Sequence, residues 1–441
     1  MDIQNKVVTL PDLPKGKEFE EFISAYLHSD GYYLDRNIID RSIEELLEVD
    51  IIITNYDLLP RPSLIEIKSG EWGFSEVFKI KGWMTYTEIK KGYFIVQNGK
   101  KNFDFYSKKA KELKVGLYAV PDLFKTEDYL RPLLRKNSID KRDVELLRYS
   151  FWIERVMLQR LKKYKKSDKS KKCYEALEQY HFNINSGIFF TPNIIDRISS
   201  LYSNFKNNAR ITAKCANELD GLDFDEDHKI IPKEHFVNTF YKCEFNVIQI
   251  STLLEYLSKI AILKNAIDYL MLRNTNQKRK VEIKIQYFSG ITKLDFLPLS
   301  FNIGIDKIST HKNYNRYAVF WQWFLYVFGG FILNEIKDKE YKLLSEKTGI
   351  EINEIENALS SMDLLFPTNG SWLRLNSKTN ILEAIFFPIP FRGIGANYRL
   401  EMYSDTNDKL KEFGEIGLKN SFAIDDLVKW NNLAVEILYT K

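Results

Sequence analysis

VDIIITNYDLLPRPSLIEIK, residues 49–68, is the stretch that decides the fold of the first part of the chain. Two apolar runs rich in isoleucine, about Val49–Thr54 and Ser63–Lys68, flank the segment NYDLLPRP, which is rich in turn-forming residues. Pro60 and Pro62 exclude this segment from the centre of a sheet. The stretch therefore predicts two antiparallel strands joined by a turn.

This hairpin gathers three charged side chains at one end. Facing residues of an antiparallel pair have position numbers with a constant sum, and a turn centred near Leu58 sets Asp50 opposite Glu66, to within a residue or two. Lys68 points to the same face as Glu66 because side chains alternate along a strand. Charges at the end of an apolar strand pair need compensation.

A divalent cation would supply that compensation. Asp50, Glu66 and the carbonyl group of Ile67 offer hard oxygen ligands of the kind that Mg²⁺ or Mn²⁺ prefers. Such an ion would polarise a phosphodiester and lower the pKa of a bound water molecule. Lys68 would orient that water or stabilise the charge that develops in the transition state.

The rest of the first 125 residues alternates between helix and strand. Glu20 lies at the border of the apolar face of the first helix and is a fourth candidate acid, with Glu18 and Glu21 as alternatives. With the hairpin, the order α-β-β-β-α-β-α-β predicts a mixed sheet flanked by helices. The predicted helices are Gly16–Ser29, Phe74–Ile89 and Phe103–Leu113, and the further strands are Tyr32–Ile39, Tyr93–Gln97 and Leu117–Val120.

The strings GKEFEEFISAYLHSDGYYLDRNI, ELLEVDIII and SLIEIKSG together resemble the PD-(D/E)XK restriction-endonuclease-like nuclease superfamily. They are most similar to the type IV restriction endonucleases and the archaeal Holliday-junction resolvases, over about residues 15–120. The resemblance implies an α/β nuclease domain that cleaves nucleic acid, DNA rather than RNA, with Mg²⁺ or Mn²⁺. It implies Asp50 and Glu66 as metal ligands, Lys68 as the catalytic lysine and Glu20 as the acid of the first helix. By analogy, such a domain fused to a helical half suits restriction or antiphage defence.

Each of these charged residues also has a structural interpretation. Asp50 could begin a strand, and Glu66 with Lys68 could form a solvated charge pair of little energetic value. A fold of this kind without catalysis would be a nucleic-acid or protein-binding module, but the complete set of residues favours the enzyme. A second E-x-K tripeptide, Glu282-Ile283-Lys284, lacks this context because Asp268, the nearest upstream aspartate at a similar distance, falls in a predicted helix.

Composition predicts a folded, cytoplasmic protein. The apolar fraction of 44% and the charged fraction of 28% are those of a globular chain rather than a disordered one. The first residues lack a basic segment followed by an apolar one, so no secretory signal is expected. The three cysteines, Cys173, Cys215 and Cys243, have no metal-ligand spacing and predict free thiols in a reducing compartment.

The basic residues are unevenly distributed. The formal net charge of +4 is too small to steer nucleic acid to the whole molecule, yet residues 155–172 hold nine basic residues against one acid, Asp168. This run is either a phosphate-binding stripe or, more simply, a solvated helix end and loop. The candidate nucleic-acid-binding residues are Lys162, Lys163, Lys165, Lys166, Lys171 and Lys172.

Beyond a first domain over residues 1–125, we expect a mainly helical regulatory or targeting domain over 126–336. It includes a strand-like passage, Val281–Phe301, and the aromatic run Tyr317–Leu333. At seventeen residues this run is at the short limit for a membrane span. We interpret it as a buried helix rather than a span, because no second span accompanies it.

A pattern within residues 337–400 resembles a winged helix-turn-helix unit: the predicted helices Lys339–Lys347 and Asn353–Met362 flank the turn Thr348–Ile350, and a predicted hairpin, Trp372–Leu375 with Ile381–Phe387, follows. A helical tail is expected over 401–441. The presumed recognition helix of the unit, Asn353–Met362 with the residues before it, carries Glu351, Glu354 and Glu356 and no lysine or arginine. Three glutamates oppose entry into a groove lined by phosphates. The unit is therefore expected to contact protein, either a second copy of this chain or another partner, rather than to recognise DNA sequence.

Overall fold

The computed structural model describes residues 12–163 without 42, 43 and 58, 171–205 without 192, 247–279, 299–328, 337–365, 373–376 and 381–384. The chain divides into two compact units. The N-terminal unit comprises Leu10–Trp152 together with Asn185–Phe190, and the C-terminal unit comprises the remainder.

The N-terminal unit is built on a five-stranded mixed sheet of order β1-β2-β3-β4-β5. Neighbours are antiparallel from β1 to β3 and parallel from β3 to β5. The predicted order α-β-β-β-α-β-α-β is confirmed. The elements are α1 Lys17–Ser29, β1 Tyr33–Arg41, β2 Glu45–Asn55, β3 Arg61–Lys68, α2 Ser75–Tyr86, β4 Gly92–Val96, α3 Phe103–Glu112 and β5 Val115–Ala119.

The central hairpin has the predicted register. Ile51 faces Ile65, and Thr54 faces Pro62. The numbers of each facing pair have the same sum as those of Asp50 and Glu66, as predicted. Strand β3 begins at Arg61 rather than at the predicted Ser63, so Pro62 lies within it. Pairing of β3 with β4 begins only at Leu64, so the missing N–H of Pro62 removes no bond on that side of the strand.

Helices α2 and α3 connect the parallel strands and cover the sheet. Helix α2 packs so closely on β4 that a Cβ at Gly92 would lie 2.6 Å from the sulfur of Met84 and 2.9 Å from Ile80. Glycine is therefore required at the start of β4. The core beneath these helices is mostly aliphatic with two aromatic residues, Trp72 and Phe94, and includes Val49, Ile52, Leu64, Val77, Ile80, Met84, Val96 and Leu117.

The N-terminal unit reaches beyond residue 125, the predicted end of the first domain, to Trp152. Helix α4, Thr126–Leu130, and the first part of α5, Lys141–Lys163, complete it. The hydroxyl group of Tyr32 donates to the Leu133 carbonyl at 3.0 Å. Asp30, which is fully buried, accepts the backbone N–H groups of Arg135 and Lys136 at 2.7 Å each. These bonds join residues that are 101 to 106 positions apart, so no local sequence pattern predicts them.

The C-terminal unit is mainly helical within the described ranges, as predicted. Helix α10, Tyr317–Tyr326, buries all ten of its residues, which confirms the buried-helix interpretation over the part of the aromatic run that is described. No helix in the described ranges is both long and apolar enough to cross a membrane. The further helices are α6 Lys171–Phe182, α7 over 194–205, α8 Val247–Arg279, α9 Leu299–Ile308, α10 Tyr317–Tyr326, α11 Lys337–Thr348 and α12 Ile355–Leu365.

Two predictions for the C-terminal half need correction. The last three residues of the strand-like passage, 299–301, are helical, and 280–298 lie outside the described residues. The presumed recognition helix, α12, begins only at Ile355, so Glu351 and Glu354 precede it. Residues 385–441, including the predicted helical tail, also lie outside the described ranges.

Two of the three glutamates of this unit, Glu351 and Glu356, have a lysine nearby. Lys337 lies 2.8 Å from Glu356, and Lys312 lies 3.7 Å from Glu351. Both lysines come from elsewhere in the chain, and so the local sequence could not show these pairs. The predicted hairpin is present as β6 Leu373–Asn376 and β7 Ile381–Ala384.

Replacing Asp30 with alanine should lower the free energy of unfolding by about 2–4 kcal/mol, because two partly buried N–H groups lose their acceptor. Urea unfolding followed by circular dichroism measures this. Glu112→Ala is the control: its side chain is 63% exposed and pairs with the exposed Lys109, so its effect should be below about 1 kcal/mol. Equal midpoints for Asp30→Ala and the unaltered chain would contradict the role given to Asp30.

Candidate active site

Asp50 lies where the pairing between β2 and β3 ends. The last paired residues are Ile51 and Ile65, and beyond them the Ile67 N–H donates to Oδ2 of Asp50 at 2.8 Å. The Asp50 side chain thus accepts a hydrogen bond that a backbone carbonyl group of β2 would accept in a continuing ladder, and the two strands separate at this point. The N–H and C=O of one strand residue point to the same side, so the Ile67 carbonyl also faces β2.

The Glu66 carboxylate is buried beside Asp50. Its side chain is 6% exposed, and that of Asp50 is 10% exposed. Oε2 of Glu66 is buried with no hydrogen-bond donor in reach among the described residues. A buried carboxylate oxygen without a donor costs free energy and suits a cation or a proton.

Glu20 joins this pair from α1 through a shared lysine. The Lys17 ammonium lies 2.8 Å from Oε2 of Glu20, 3.5 Å from Oε1 of Glu48 and 3.8 Å from Oδ1 of Asp50. Glu20 is therefore the acid of the first helix that the structure links to the site, through the lysine that also lies near Asp50. One ammonium group neutralises part of a cluster of at least three carboxylates.

A second lysine, Lys79 of α2, approaches the cluster from the other side. Its ammonium lies 3.5 Å from Oε1 of Glu66 and 4.2 Å from the centre of the Trp83 ring. Lys68, at the end of β3, acts on Glu66 electrostatically. The Lys68 carbonyl accepts the N–H of Gln97 at 2.8 Å, which ties the ends of β3 and β4 together.

The electrostatics of the cluster favour protons on its acids. Burial, followed by the charge of Asp50, raises the pKa of Glu66 to about 8 and that of Glu20 to about 7. Burial also raises the pKa of Asp50, although the Ile67 N–H and Lys17 act in the opposite direction. Acids with raised pKa values in one cluster are typical of functional sites.

The structure thus brings Glu20, Asp50, Glu66 and the Ile67 peptide together, with Lys68 on the same strand. The sequence interpretation missed Lys17 and Lys79, which approach from two helices. The three-residue spacing of Lys17 and Glu20 on α1 was the available signal.

The candidate phosphate-binding lysines lie in the C-terminal unit. Lys162 and Lys163 end α5, and Lys171 and Lys172 begin α6. Lys165 and Lys166 lie outside the described residues.

The donor chemistry at this site fits a hard divalent cation, but the carboxylates are not closed around one position. Within the described part of the chain, no three His, Cys, Asp or Glu side chains are arranged as a metal site. The Lys17 ammonium pairs with Glu20, and the Lys79 ammonium lies near Glu66. Positive charges thus already compensate two carboxylates that a metal ion would otherwise compensate. The unpartnered Oε2 of Glu66 and the Ile67 carbonyl are the oxygens best suited to one.

Comparison with protein-family models, curated proteins and solved structures gives no match. The geometry of the site and the motifs of the sequence are therefore the basis for any function assigned to this chain.

The metal-free protein should lose stability as the pH rises from about 5 to about 8. Glu66 of the folded state holds its proton up to about pH 8, whereas the ordinary glutamate value is 4.5, so the folded state binds more protons in this window. Unfolding in urea with EDTA at several pH values measures the loss. Glu66→Gln cannot ionise and should flatten the dependence by more than about 1.4 kcal/mol, one pKa unit.

The exposed Glu112→Gln is the matched control and should keep the dependence of the unaltered chain. If Glu66→Gln and the unaltered chain lose stability in parallel, Glu66 is not the group that holds the proton.

Proposed function

We propose that the N-terminal unit is a Mg²⁺- or Mn²⁺-dependent nuclease that hydrolyses phosphodiester bonds of nucleic acid, with DNA as the first substrate to test. One observation carries this proposal: Asp50 and Glu66 lie together where β2 and β3 separate, Glu20 is linked to Asp50 through Lys17, and Oε2 of Glu66 is buried with no donor among the described residues. Three acids in one buried cluster are costly unless a cation or protons compensate them.

Asp50, Glu66 and the Ile67 carbonyl would hold the metal ion, with Glu20 completing the site directly or through water. When bound, the ion would polarise the scissile phosphate and lower the pKa of a water ligand. The Lys68 ammonium, one pleat beyond Glu66, would stabilise negative charge on the phosphate oxygens. The substrate would approach from the ends of β3 and β4, where parallel strands commonly present their ligands.

A non-catalytic binding module on the same fold is the second candidate. The specific observation in its favour is that ammonium groups already compensate the acids, through Lys17 on Glu20 and Lys79 on Glu66. Such pairs would stabilise the site without a metal. Cleavage assays decide between the two candidates, because only the nuclease makes Asp50 and Glu66 necessary for turnover.

For the C-terminal unit we propose a regulatory or targeting role through protein contact, with a second copy of this chain or another partner. Helix α12, which holds the position of a recognition helix, contains no lysine or arginine over Ile355–Leu365. A helix that enters the major groove needs such donors to bind base edges and phosphates. The paired glutamates near its start weaken the electrostatic part of this proposal, but the missing donors remain.

Asp50→Asn and Glu66→Gln should each lower metal-dependent cleavage more than about tenfold, because each removes a charged ligand. Lys68→Ala should lower cleavage to a similar extent and leave metal binding intact, since its charge acts mainly on the transition state. A panel of single-stranded, double-stranded and branched DNA and RNA, with Mg²⁺, Mn²⁺ or EDTA, measures cleavage. Isothermal titration calorimetry measures metal binding.

The second E-x-K tripeptide offers the matched control. Glu282→Gln and Lys284→Ala make the same chemical changes at positions outside the described residues and should leave cleavage unchanged. Equal losses from both tripeptides would show that the active site is misassigned. Binding of nucleic acid without cleavage under every metal condition would establish the second candidate.

Lys17→Met should tighten Mg²⁺ binding by about two- to fivefold, because an ammonium group that competes for Glu20 and Asp50 is removed. The effect is modest because the Lys17 side chain is 43% exposed. Calorimetry at low ionic strength measures it. Lys109→Met removes the same charge from an exposed pair with Glu112 and should leave the affinity unchanged. Weaker Mg²⁺ binding by Lys17→Met would mean that Lys17 supports the site rather than competes for it.

A further inference from the structure

Four aromatic rings form a continuous strip between α2 and α3. Phe78 contacts Phe74 with ring centres 5.5 Å apart, Phe74 contacts Tyr106 at 5.8 Å, and Tyr106 contacts Phe105 at 5.8 Å. The strip is defined by these four residues. Its inner rings, Phe74 and Tyr106, are partly buried against the core, and its outer rings, Phe78 and Phe105, are 59% and 58% exposed.

The inner rings have a folding role and the outer rings do not. Trp72 is 4% exposed and packs edge-on against Tyr106 at 5.9 Å, while its indole N–H donates to the Asn98 carbonyl at 2.9 Å. This network fixes Tyr106 and, through it, Phe74. Folding leaves more than half of the surface of Phe78 and Phe105 exposed to water. Burial therefore does not explain why large aromatic side chains occupy these two positions.

Lysines are interleaved with these rings. Residues 71–112 contain nine lysines and five acidic residues, a surplus of +4 that equals the formal net charge of the whole chain. The Lys100 ammonium lies 5.0 Å from the centre of the Trp72 ring, and Lys79 follows Phe78 directly in sequence. Exposed rings among lysines fit a polyanion that carries flat apolar groups better than they fit an apolar protein surface.

The strip is built on segments that leave the sheet at the same strand ends as the candidate active site. Phe74 and Phe78 follow β3, and Phe105 and Tyr106 follow β4, so both segments start from the ends of neighbouring parallel strands. Lys79, adjacent to Phe78, reaches within 3.5 Å of Glu66. A strand of nucleic acid that lies along the rings would therefore have its backbone near the carboxylates.

We propose that Phe74, Phe78, Phe105 and Tyr106 form a stacking surface for unpaired bases, so that the site acts on single-stranded nucleic acid or on strands with unpaired bases. This inference rests on the proposed nuclease function and names its substrate class. Bases in an intact duplex are stacked on one another and offer no free face to Phe78 or Phe105. A single strand offers a face for every base, independent of sequence.

The test measures binding of the full chain to a fluorescein-labelled oligothymidine of about 20 nucleotides, and to a duplex of equal length, by anisotropy in EDTA. The double variant Phe78→Ala/Phe105→Ala should bind the single strand more than about tenfold more weakly and the duplex with unchanged affinity. Phe78→Leu/Phe105→Leu, which keeps an apolar side chain without a ring, should behave like the alanine variant. Phe78→Tyr/Phe105→Tyr should restore binding.

Phe124→Ala is the matched control, since Phe124 is 83% exposed and lies outside the strip. The proposal is overturned if the unaltered chain does not bind oligothymidine, if the double variant binds it normally, or if duplex binding falls equally. It is also overturned if the double variant changes only the mass seen in sedimentation, which would make the strip a protein contact. Because binding is measured in EDTA, these outcomes are independent of whether Asp50→Asn affects cleavage.

Discussion

The hydrogen bond from the Ile67 N–H to Oδ2 of Asp50 is the constraint on which the candidate site depends. In a regular antiparallel ladder, backbone carbonyl groups would accept the hydrogen bonds beyond Ile51 and Ile65. The carboxylates of β2 and β3 would then lie on the surface of a continuous sheet. Because a side chain accepts this bond instead, the strands separate while the buried N–H remains satisfied. The opening holds Asp50 against Glu66 and turns the Ile67 carbonyl toward them.

Holding these acids together is unfavourable by itself, and the surrounding elements show how the fold offsets it. Lys17 from α1 contacts Glu20, Glu48 and Asp50, and Lys79 from α2 approaches Glu66. Both lysines keep a large part of their side chains in solvent, so each stabilises its pair only weakly. The raised pKa values of Glu20 and Glu66 show that the compensation is incomplete. A site that is neither fully neutralised nor closed would suit a further cation, as the proposed metal-dependent nuclease requires.

The sequence predicted the sheet and its acids because these depend on local patterns. Isoleucine-rich runs around a proline-containing turn determine the hairpin register, and the order of helices and strands determines the mixed sheet. The partners of the charged groups depend on tertiary structure and could not be predicted. Lys79 lies 13 positions from Glu66, and Lys312 lies 39 positions from Glu351. The end of the N-terminal unit was missed for the same reason, since Asp30 reaches across the sequence to Arg135 and Lys136.

The proposed stacking surface would also offset an electrostatic problem that the acidic cluster creates for a nucleic-acid substrate. Phosphates are repelled by three carboxylates, and a net charge of +4 on 441 residues gives the molecule little long-range attraction for a polyanion. In the proposed nuclease, affinity would therefore have to come from groups close to the site. Lysines spread over residues 71–112 would attract the backbone of a nucleic acid at short range, and the exposed rings would add an attraction that salt does not screen. Because Phe78 precedes Lys79 on one helix, a strand bound through its bases would meet the carboxylates through its backbone.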